Sequence, residues 1–415
     1  GKKPRVMVWP YGQFNDVAVQ LARQAGMPHY FSLGEKIINK VGDKHIGRLL
    51  LNAETDLNTV KNYLDGIDES KQIQRVLHVD LDYVYDADKA QQAKNLDKLI
   101  DRIYRYGVTT VYLQAFSDPD GDGVADALYF PNKYLPVRDD IFGRIAWQLQ
   151  TRAGVQVYAW MPVLAFDLRK GVKEAEYVID SRTGKPSTKA YLRLSPYNKQ
   201  NVEIIKSIYN DLSFYAKFNG ILFHDDAFLT DFEGAEGDHA EGMVSPQAKQ
   251  KTQDLIQLTH QLTDALKPYF LRGSYSLKTS RNLYASVITN PNAEEWLAQN
   301  LKTLTDNYDT TAIMAMPYME NEQPISQKEA YQWFASLIEN VKAQAPLDKV
   351  LFEFQAVNWR TQKPIPESEL IDWIKLLQKN HIYSYGYYPD NFLTNQPDLN
   401  KMKPYFSVNT NVGKP

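Results

Sequence analysis

The feature that most constrains this chain is a rhythm that begins at Arg75, where short apolar runs alternate with polar loops and helix-like stretches. Runs that are rich in β-branched and aromatic residues and bounded by turn residues predict buried strands. The eight runs span residues 75–85, 109–116, 155–164, 220–227, 269–277, 311–318, 349–357 and 383–390. Since strands that alternate with helices form parallel sheets, the pattern predicts an α/β fold, a (β/α)8 TIM barrel over residues 75–405.

An open, doubly wound sheet is the alternative fold for such a pattern. No glycine-rich phosphate motif follows any of the predicted strands, which favours the closed barrel. The fifth run, "YFLRGSYSL", is the weakest strand signal of the eight.

The first 55 residues contain one apolar strand, "VMV", one helical segment, "NDVAVQLARQAG", and two further short strands. These elements are too few to bury a core of their own. We therefore expect residues 1–55 to be part of another α/β domain, and the polar residues 56–74 to form a linker.

Composition restricts the classes of function. Hydrophobic residues make up 43% and charged residues 23% of the 415 positions, which is ordinary for a globular protein with a large core. The formal net charge of -3 gives no reason to expect a nucleic-acid partner. The chain has no cysteine and its seven histidines lack metal-ligand spacing, so we expect no catalytic metal and no cofactor in it.

Polar and aromatic residues stand where the predicted strands end, and the carboxyl ends of barrel strands form the active site in this fold. They are Asp80, Asp82, Gln114, Trp160, Asp225, Asp226, Arg281, Asn282, Pro317, Tyr318, Glu353, Gln355, Trp359, Tyr388, Asp390 and Asn391. Carboxylates supply acid and base groups, amides bind hydroxyls, and aromatic rings stack on sugars. This lining predicts a polysaccharide cleft.

The acidic residues also have structural interpretations. Asp80 and Asp82 alternate along their strand and face the same side, so a salt bridge with an arginine is an alternative to a functional role. Asp225 and Asp226 are adjacent and should face opposite sides, so only one should reach the cleft unless the strand bulges. The other could cap a helix, while His224 orients Asp225 or hydrogen-bonds within the core.

The segment "SDPDGDGVAD" contains the first half of a calcium loop, with Asp118, Asp120 and Asp122 at the ligand positions. The twelfth position, which should be a glutamate, is Tyr129. This departure favours a turn-rich loop over a calcium site.

Several strand ends resemble the C-terminal domain of the periplasmic poly-β-1,6-N-acetylglucosamine deacetylase/export proteins of Gram-negative biofilms. The resemblance runs from about Arg75 to Phe392 and rests on "HVDLDYVYD", "YLQAFSDPDGDG", "YAWMPVL", "YLRLSP", "GILFHDDA", "TAIMAMPY" and "YGYYPDNF". It implies a (β/α)8 domain that binds the partly deacetylated polymer and cleaves it as an endo-glycosidase.

The same resemblance implies a role for the first 55 residues. They look like the tail of an N-terminal polysaccharide deacetylase domain, whose divalent metal is held by an aspartate and two histidines. The motifs that carry these ligands in the family are not recognised in residues 1–55. Family members are periplasmic lipoproteins, so we expect a periplasmic, outer-membrane-anchored protein. The expected partners are the partially deacetylated polymer and an outer-membrane export porin.

The resemblance also assigns site residues one by one. The sugar-binding acid falls at Asp82, the aromatic and basic pair of the groove at Tyr191 and Arg193, the catalytic acids at Asp225 and Asp226, a further groove acid at Asp231, and a stacking ring at Trp359. From the strand ends we add Asp80, Tyr388 and Asp390 as substrate-binding residues.

The leading hypothesis is hydrolysis of the β-1,6 linkage, with Asp225 or Asp226 as the acid and with the pKa of one member of the pair raised by burial and like charge. The second role is open: the neighbouring aspartate could steer a substrate acetamido group, or Asp82 or Glu353 could act as base or nucleophile. The alternative function is a non-catalytic module that guides the deacetylated polymer to export.

Overall fold

The computed structural model of the protein describes residues 3–10, 14–33, 39, 41–48, 73–169, 171–187, 189–234, 244–270, 277–290 and 292–408. These residues fall into two compact units, one ending at Ile73 and the other beginning at Gln74. Most of the predicted linker 56–74 lies outside the described residues, so its boundaries stay a prediction.

The described residues of the first unit form a parallel sheet and one helix. The sheet has the strand order β1 (Val6–Val8), β2 (His29–Leu33), β3 (His45–Arg48), and α1 spans Asp16–Gln24. The Asn15 side chain caps the helix by accepting a hydrogen bond from the backbone N–H of Ala18 at 2.8 Å. The strands and the helix expected from the sequence are confirmed, whereas their assignment to a deacetylase domain stays a prediction.

The second unit is a closed barrel of parallel strands. Each strand pairs with its neighbours along the chain, and the last strand pairs with the first. The strands are β4 (Arg75–Val79), β5 (Thr110–Gln114), β6 (Gln156–Met161), β7 (Gly220–Phe223), β8 (Lys278–Tyr284), β9 (Thr310–Met314), β10 (Val350–Gln355) and β11 (Tyr385–Tyr388). The (β/α)8 TIM barrel is therefore confirmed.

Helices follow the strands and cover the barrel. The longer ones are α2 (Lys89–Tyr106), α3 (Phe142–Gln148), α4 (Lys199–Tyr215), α5 (Pro246–Phe270), α6 (Leu301–Asn307), α7 (Gln327–Gln344), α8 (Glu367–Lys379) and α9 (Leu399–Phe406). Their ends follow local chemistry. Asp88 caps α2 through the N–H of Ala90, and Gly107 ends that helix with a φ of 70°.

The prediction of the fifth barrel strand was wrong. The apolar run at 269–277 begins inside α5, which extends to Phe270, and the strand is Lys278–Tyr284, "KTSRNLY". This strand is polar because its side chains have polar partners inside the barrel. The Ser280 and Tyr112 hydroxyls lie 3.2 Å apart, and Asn282 donates to Glu353 at 2.9 Å.

Close packing between strands fixes small residues in the barrel. A side chain at Gly386 on β11 would place its Cβ 2.7 Å from the backbone oxygen of Val76 on β4. The seam where the last strand meets the first therefore requires glycine at this point.

Among the helices that the structure describes, none combines the length and the hydropathy of a membrane-spanning segment.

Candidate active site

Aromatic rings line the end of the barrel where the strands have their carboxyl termini. Trp160 of β6 lies at the centre, with its ring centroid 4.2 Å from that of His78 and 5.5 Å from that of Tyr388. Trp359, half-buried in the loop after β10, lies 6.2 Å from the Tyr388 ring. The predicted positions Tyr388 and Trp359 are thus brought together with Trp160.

The rings continue across the barrel toward β7. Trp160 lies 5.1 Å from the ring of His224, which in turn lies 5.3 Å from the ring of Tyr191. We call Trp359, Tyr388, Trp160 and Tyr191 the aromatic trough. Such surfaces suit the apolar faces of sugar rings.

Asp225 lies at the Tyr191 end of the aromatic trough and accepts hydrogen bonds on both oxygens. Its Oδ1 lies 2.8 Å from Nε2 of His224. Its Oδ2 accepts from the hydroxyls of Tyr191 at 2.8 Å and Tyr284 at 2.6 Å. The side chain of Asp225 is therefore fixed by donors from three sides.

These contacts determine the protonation of the pair. Burial alone would raise the pKa of Asp225, but the adjacent His224 charge and the tyrosine donors outweigh it and lower the pKa to about 2. Burial alone would lower the pKa of His224, but the two aspartates raise it to about 10. Asp225 is thus an anion and His224 a cation at neutral pH, so the raised pKa that was expected for one member of the aspartate pair is not found at Asp225.

Asp226 has different partners from Asp225, although both carboxylates lie near the ring of His224. It is fully buried, and its Oδ2 accepts hydrogen bonds from the backbone N–H groups of Leu164 and Ala165, both at 2.6 Å. Its Oδ1 accepts from the N–H of Val163 at 3.0 Å and lies 3.4 Å from Nδ1 of His224. This geometry makes Asp226 the anchor of the loop after β6 and gives no support to a catalytic role.

Asp82 fastens the loop after β5. Its Oδ1 accepts hydrogen bonds from Ser117 at 3.0 Å and from Tyr129 at 2.5 Å, and forms an ion pair with Arg138 at 2.5 Å. Its Oδ2 accepts from the backbone N–H of Asp118 at 3.0 Å. The salt-bridge interpretation of Asp82 fits this geometry better than direct sugar binding does.

Asp80, unlike Asp82, has few hydrogen-bond partners. It is 9% exposed, its Oδ2 lies 3.4 Å from the Tyr388 hydroxyl, and its Oδ1 has no hydrogen-bond partner in the described part of the chain. Burial and the charge of Asp82 raise the pKa of Asp80 to about 8. Asp80 is therefore neutral at pH 7 and lies beside the aromatic trough.

Two of the predicted groove residues form buried ion pairs. Arg193 is 1% exposed and donates to Glu233 at 2.6 Å. Asp390 is fully buried and pairs with Arg102 of α2 at 2.7 Å. Both pairs support loops from below, and their positions give no support to contacts with a glycan. Asp231 is half-buried in the loop after β7 and stays a candidate.

A third buried network crosses the barrel beneath Trp160. Glu353 of β10 lies 2.6 Å from Nδ1 of His78 on β4 and accepts from Asn282 of β8 at 2.9 Å. Glu353 is 1% exposed. Both of its oxygens have partners, which fits the structural interpretation that the sequence allowed for Glu353.

The loop with the partial calcium motif packs against the site. Asp118, Asp120 and Asp122 have carboxylate oxygens within 4.8 Å of one another. Asp118 uses both of its oxygens to accept backbone N–H groups of the loop, including that of Gly123 at 2.9 Å. Gly123 has a φ of 79°, and a Cβ there would lie 2.1 Å from the ring of Tyr191. The glycine of the motif thus makes room for the aromatic trough.

Two residues near the site, Tyr284 and Glu320, were not predicted from the sequence. Tyr284 is the last residue of β8. Because the fifth strand was predicted at 269–277, Tyr284 was not recognised as a strand end. Glu320 accepts the backbone N–H groups of Ala285 and Ser286 at 2.8 and 3.0 Å. Burial outweighs these two bonds and, with the nearby charge of Asp225, raises the pKa of Glu320 to about 7. No sequence motif marks either residue.

Similarity to known proteins fits this site. A family model described as hypothetical glycosyl hydrolase family 13, GHL13, matches residues 78–388. Two curated relatives, from Escherichia coli strain K12 and from O157:H7, are named poly-beta-1,6-N-acetyl-D-glucosamine N-deacetylase and are each 39% identical over 429 residues. The match covers 98% of this chain and 63% of each relative, so the chain spans less than two thirds of their length.

A solved structure is also similar. It is the PgaB (BpsB) glycoside hydrolase domain from Bordetella bronchiseptica, which is 39% identical with a TM-score of 0.74. The match covers 82% of this chain and all of that domain. Because the family model extends over the barrel from β4 to β11, the chain belongs to the hypothetical glycosyl hydrolase family 13, and its barrel is a glycoside hydrolase domain.

Proposed function

We propose that this domain is an endo-glycosidase that hydrolyses β-1,6 linkages within partially de-N-acetylated poly-N-acetylglucosamine. The observation that carries the proposal is an ionised Asp225, fixed by His224, Tyr191 and Tyr284, at one end of the aromatic trough. A glycan that stacks along the trough would bring a glycosidic bond to this carboxylate.

Asp225 would act through its negative charge. Glycoside hydrolysis passes through a transition state in which positive charge develops at the anomeric carbon and the ring oxygen. A carboxylate that is already ionised and fixed by three donors can stabilise this charge without reorganising first. In this role Asp225 stabilises the transition state and is not the acid that protonates the leaving group.

The names of the relatives and the charge of the site support this substrate class. The Escherichia coli relatives are named for poly-beta-1,6-N-acetyl-D-glucosamine, and the similar solved domain is named as a glycoside hydrolase. Removing acetyl groups leaves ammonium groups on this polymer, and these are attracted to acidic side chains such as Asp231 at the rim. A partly deacetylated polymer therefore suits the site better than a fully acetylated one.

The test is direct. The chain is incubated with partially deacetylated polymer, and the products are separated by size and identified by mass spectrometry. We expect shorter oligosaccharides with wild type and with the surface control Asp306→Asn, and none with Asp225→Asn at equal folded content. Asp306 is a suitable control because its side chain is 60% exposed on α6.

The same assay decides the alternative function. If the chain binds the polymer but the polymer is not shortened, hydrolysis is refuted. The remaining function is then that of a module that guides the polymer to export. The proposal includes a periplasmic location, where the export porin would be the partner. Cell fractionation and co-purification with the porin would test both.

A further inference from the structure

Hydrolysis of a glycosidic bond needs a proton for the departing oxygen. Asp225 cannot supply it at neutral pH because three donors and the His224 charge keep it ionised. The acid must therefore be another group near the aromatic trough. This step rests on the proposed function above.

Most buried carboxylates near this end of the barrel are already occupied. Asp226 accepts three backbone N–H groups, Glu353 binds His78 and Asn282, and the carboxylate of Glu320 accepts two backbone N–H groups. Glu233 and Asp390 are paired with arginines. None of them presents a free oxygen to a ligand.

Asp80 differs in having a free oxygen. Its Oδ1 is buried and has no hydrogen-bond partner among the described residues, and two neighbouring groups share this condition. They are Nε2 of His78 and Nε1 of Trp160. His78 precedes Asp80 by two residues on β4, and its ring lies 4.2 Å from Trp160. Buried polar groups normally have partners, so this cluster points to a polar ligand group above it.

We propose that Asp80 is the general acid of this glycoside hydrolase. In the first step the proton on the Asp80 carboxyl moves to the glycosidic oxygen as the bond from that oxygen to the anomeric carbon breaks. The leaving sugar departs as an alcohol, and Asp80 becomes a carboxylate. A water oxygen then bonds to the anomeric carbon, and a proton of that water restores Asp80, so one water is consumed for each bond that is cut.

The surroundings of Asp80 keep it protonated and ready to donate. Asp82 and Asp118 lie close enough to disfavour a second negative charge, although Arg138 partly balances Asp82. In the described part of the chain, the hydroxyls of Tyr388 and Tyr83 also interact with Asp80, and His78 precedes it on the same strand. With a pKa of about 8, Asp80 carries its proton at neutral pH and loses it in mild alkali.

The experiment compares two substrates with Asp80→Asn. One is the partially deacetylated polymer, and the other is a glucosamine oligomer of the same composition with a 2,4-dinitrophenyl leaving group, which departs without protonation. We expect kcat on the polymer to fall by roughly 10²–10⁴-fold, while kcat on the dinitrophenyl substrate changes by less than about tenfold. The control is Asp97→Asn, whose side chain is 67% exposed on α2.

The pH profile gives a second measurement. For wild type, the rate on the polymer should fall as the pH rises through about 8, whereas the dinitrophenyl substrate should lack this fall. Ionisation of the substrate amines is common to both substrates and cancels in the comparison. Tyr388→Phe removes the hydroxyl that lies 3.4 Å from Asp80 Oδ2 and lowers the pKa of Asp80. The pKa should therefore rise in this variant, and the fall in rate should move to higher pH.

The outcomes distinguish the role of Asp80 from the proposed hydrolysis. Unchanged cleavage of the polymer by Asp80→Asn, or an equal loss on both substrates in a folded variant, would overturn the assignment while leaving the proposed hydrolysis intact. A wild-type chain that cleaves neither substrate would overturn the hydrolysis itself. Should Asp80→Asn fail to fold, an unmoved alkaline fall in Tyr388→Phe would overturn the assignment on its own.

Discussion

Replacement of His224 by glutamine tests how the protein keeps Asp225 ionised. Nε2 of His224 lies 2.8 Å from Asp225, and its charge is the strongest of the effects that oppose burial. Glutamine can still donate a hydrogen bond but carries no charge. A hydrogen bond to a charged group contributes about 1.5–3 kcal/mol, so losing its ionic part should raise the pKa of Asp225 by about 1–2 units.

The direction of the effect on kcat/KM follows from the requirement that Asp225 be ionised. Wild type, with the pKa of Asp225 at about 2, should keep a flat kcat/KM between pH 4 and 6 on the acid side of its profile. In His224→Gln the carboxylate becomes protonated at higher pH, so kcat/KM should fall as the pH drops through about 3–4 or above. The assay is release of reducing ends from the partially deacetylated polymer, measured across pH with folding checked by circular dichroism.

The matched control is His260→Gln, because His260 is exposed on α5 and is not part of the aromatic trough. It should keep the wild-type profile. If kcat/KM of a folded His224→Gln variant falls at the same low pH as that of wild type, the charge of His224 does not keep Asp225 ionised.

Three further results are expected. Asp226→Asn should lower the free energy of unfolding by about 3–5 kcal/mol, seen in urea melts, because an amide cannot replace the carboxylate that accepts three backbone N–H groups. Gly123→Ala should displace Tyr191 and lower kcat/KM by at least about tenfold, since a Cβ would lie 2.1 Å from that ring; unchanged kinetics would contradict the packing. Trp359→Ala should raise KM for the polymer about 2–10-fold with little change in kcat, and a selective loss of kcat would argue against stacking.

Much of the fold could be predicted from sequence because seven barrel strands are apolar runs bounded by turns. The fifth failed for a physical reason. In β8 the lumen side chains Ser280 and Asn282 are polar, and Arg281 is buried through the Tyr308 hydroxyl and the Ala227 carbonyl. A strand stabilised by such partners has no hydrophobic signal, while the apolar end of α5 supplied a false one.

The site was predictable in position but not in roles. The sequence predicted that only one of Asp225 and Asp226 would reach the cleft. Asp225 accepts from tyrosine hydroxyls at one end of the aromatic trough, whereas Asp226 accepts from buried backbone N–H groups. Arg193 is buried because it pairs with Glu233, and Asp390 because it pairs with Arg102. Arg102 and Asp390 lie 288 positions apart, so the sequence gives no sign of their contact. Asp80 and Asp82 look equivalent in "HVDLDY", yet one has four donors and the other a free oxygen. Only the folded neighbours separate them.

The network of His78, Glu353 and Asn282 joins the first, seventh and fifth strands of the ring through its interior. The same hydrogen bonds therefore help to hold the barrel closed and to position the side chains of the site. A thermal fluctuation that opened the seam between β11 and β4 would also move His78 and, two residues on, Asp80. On heating, this domain should consequently lose its activity and its folded barrel at the same temperature.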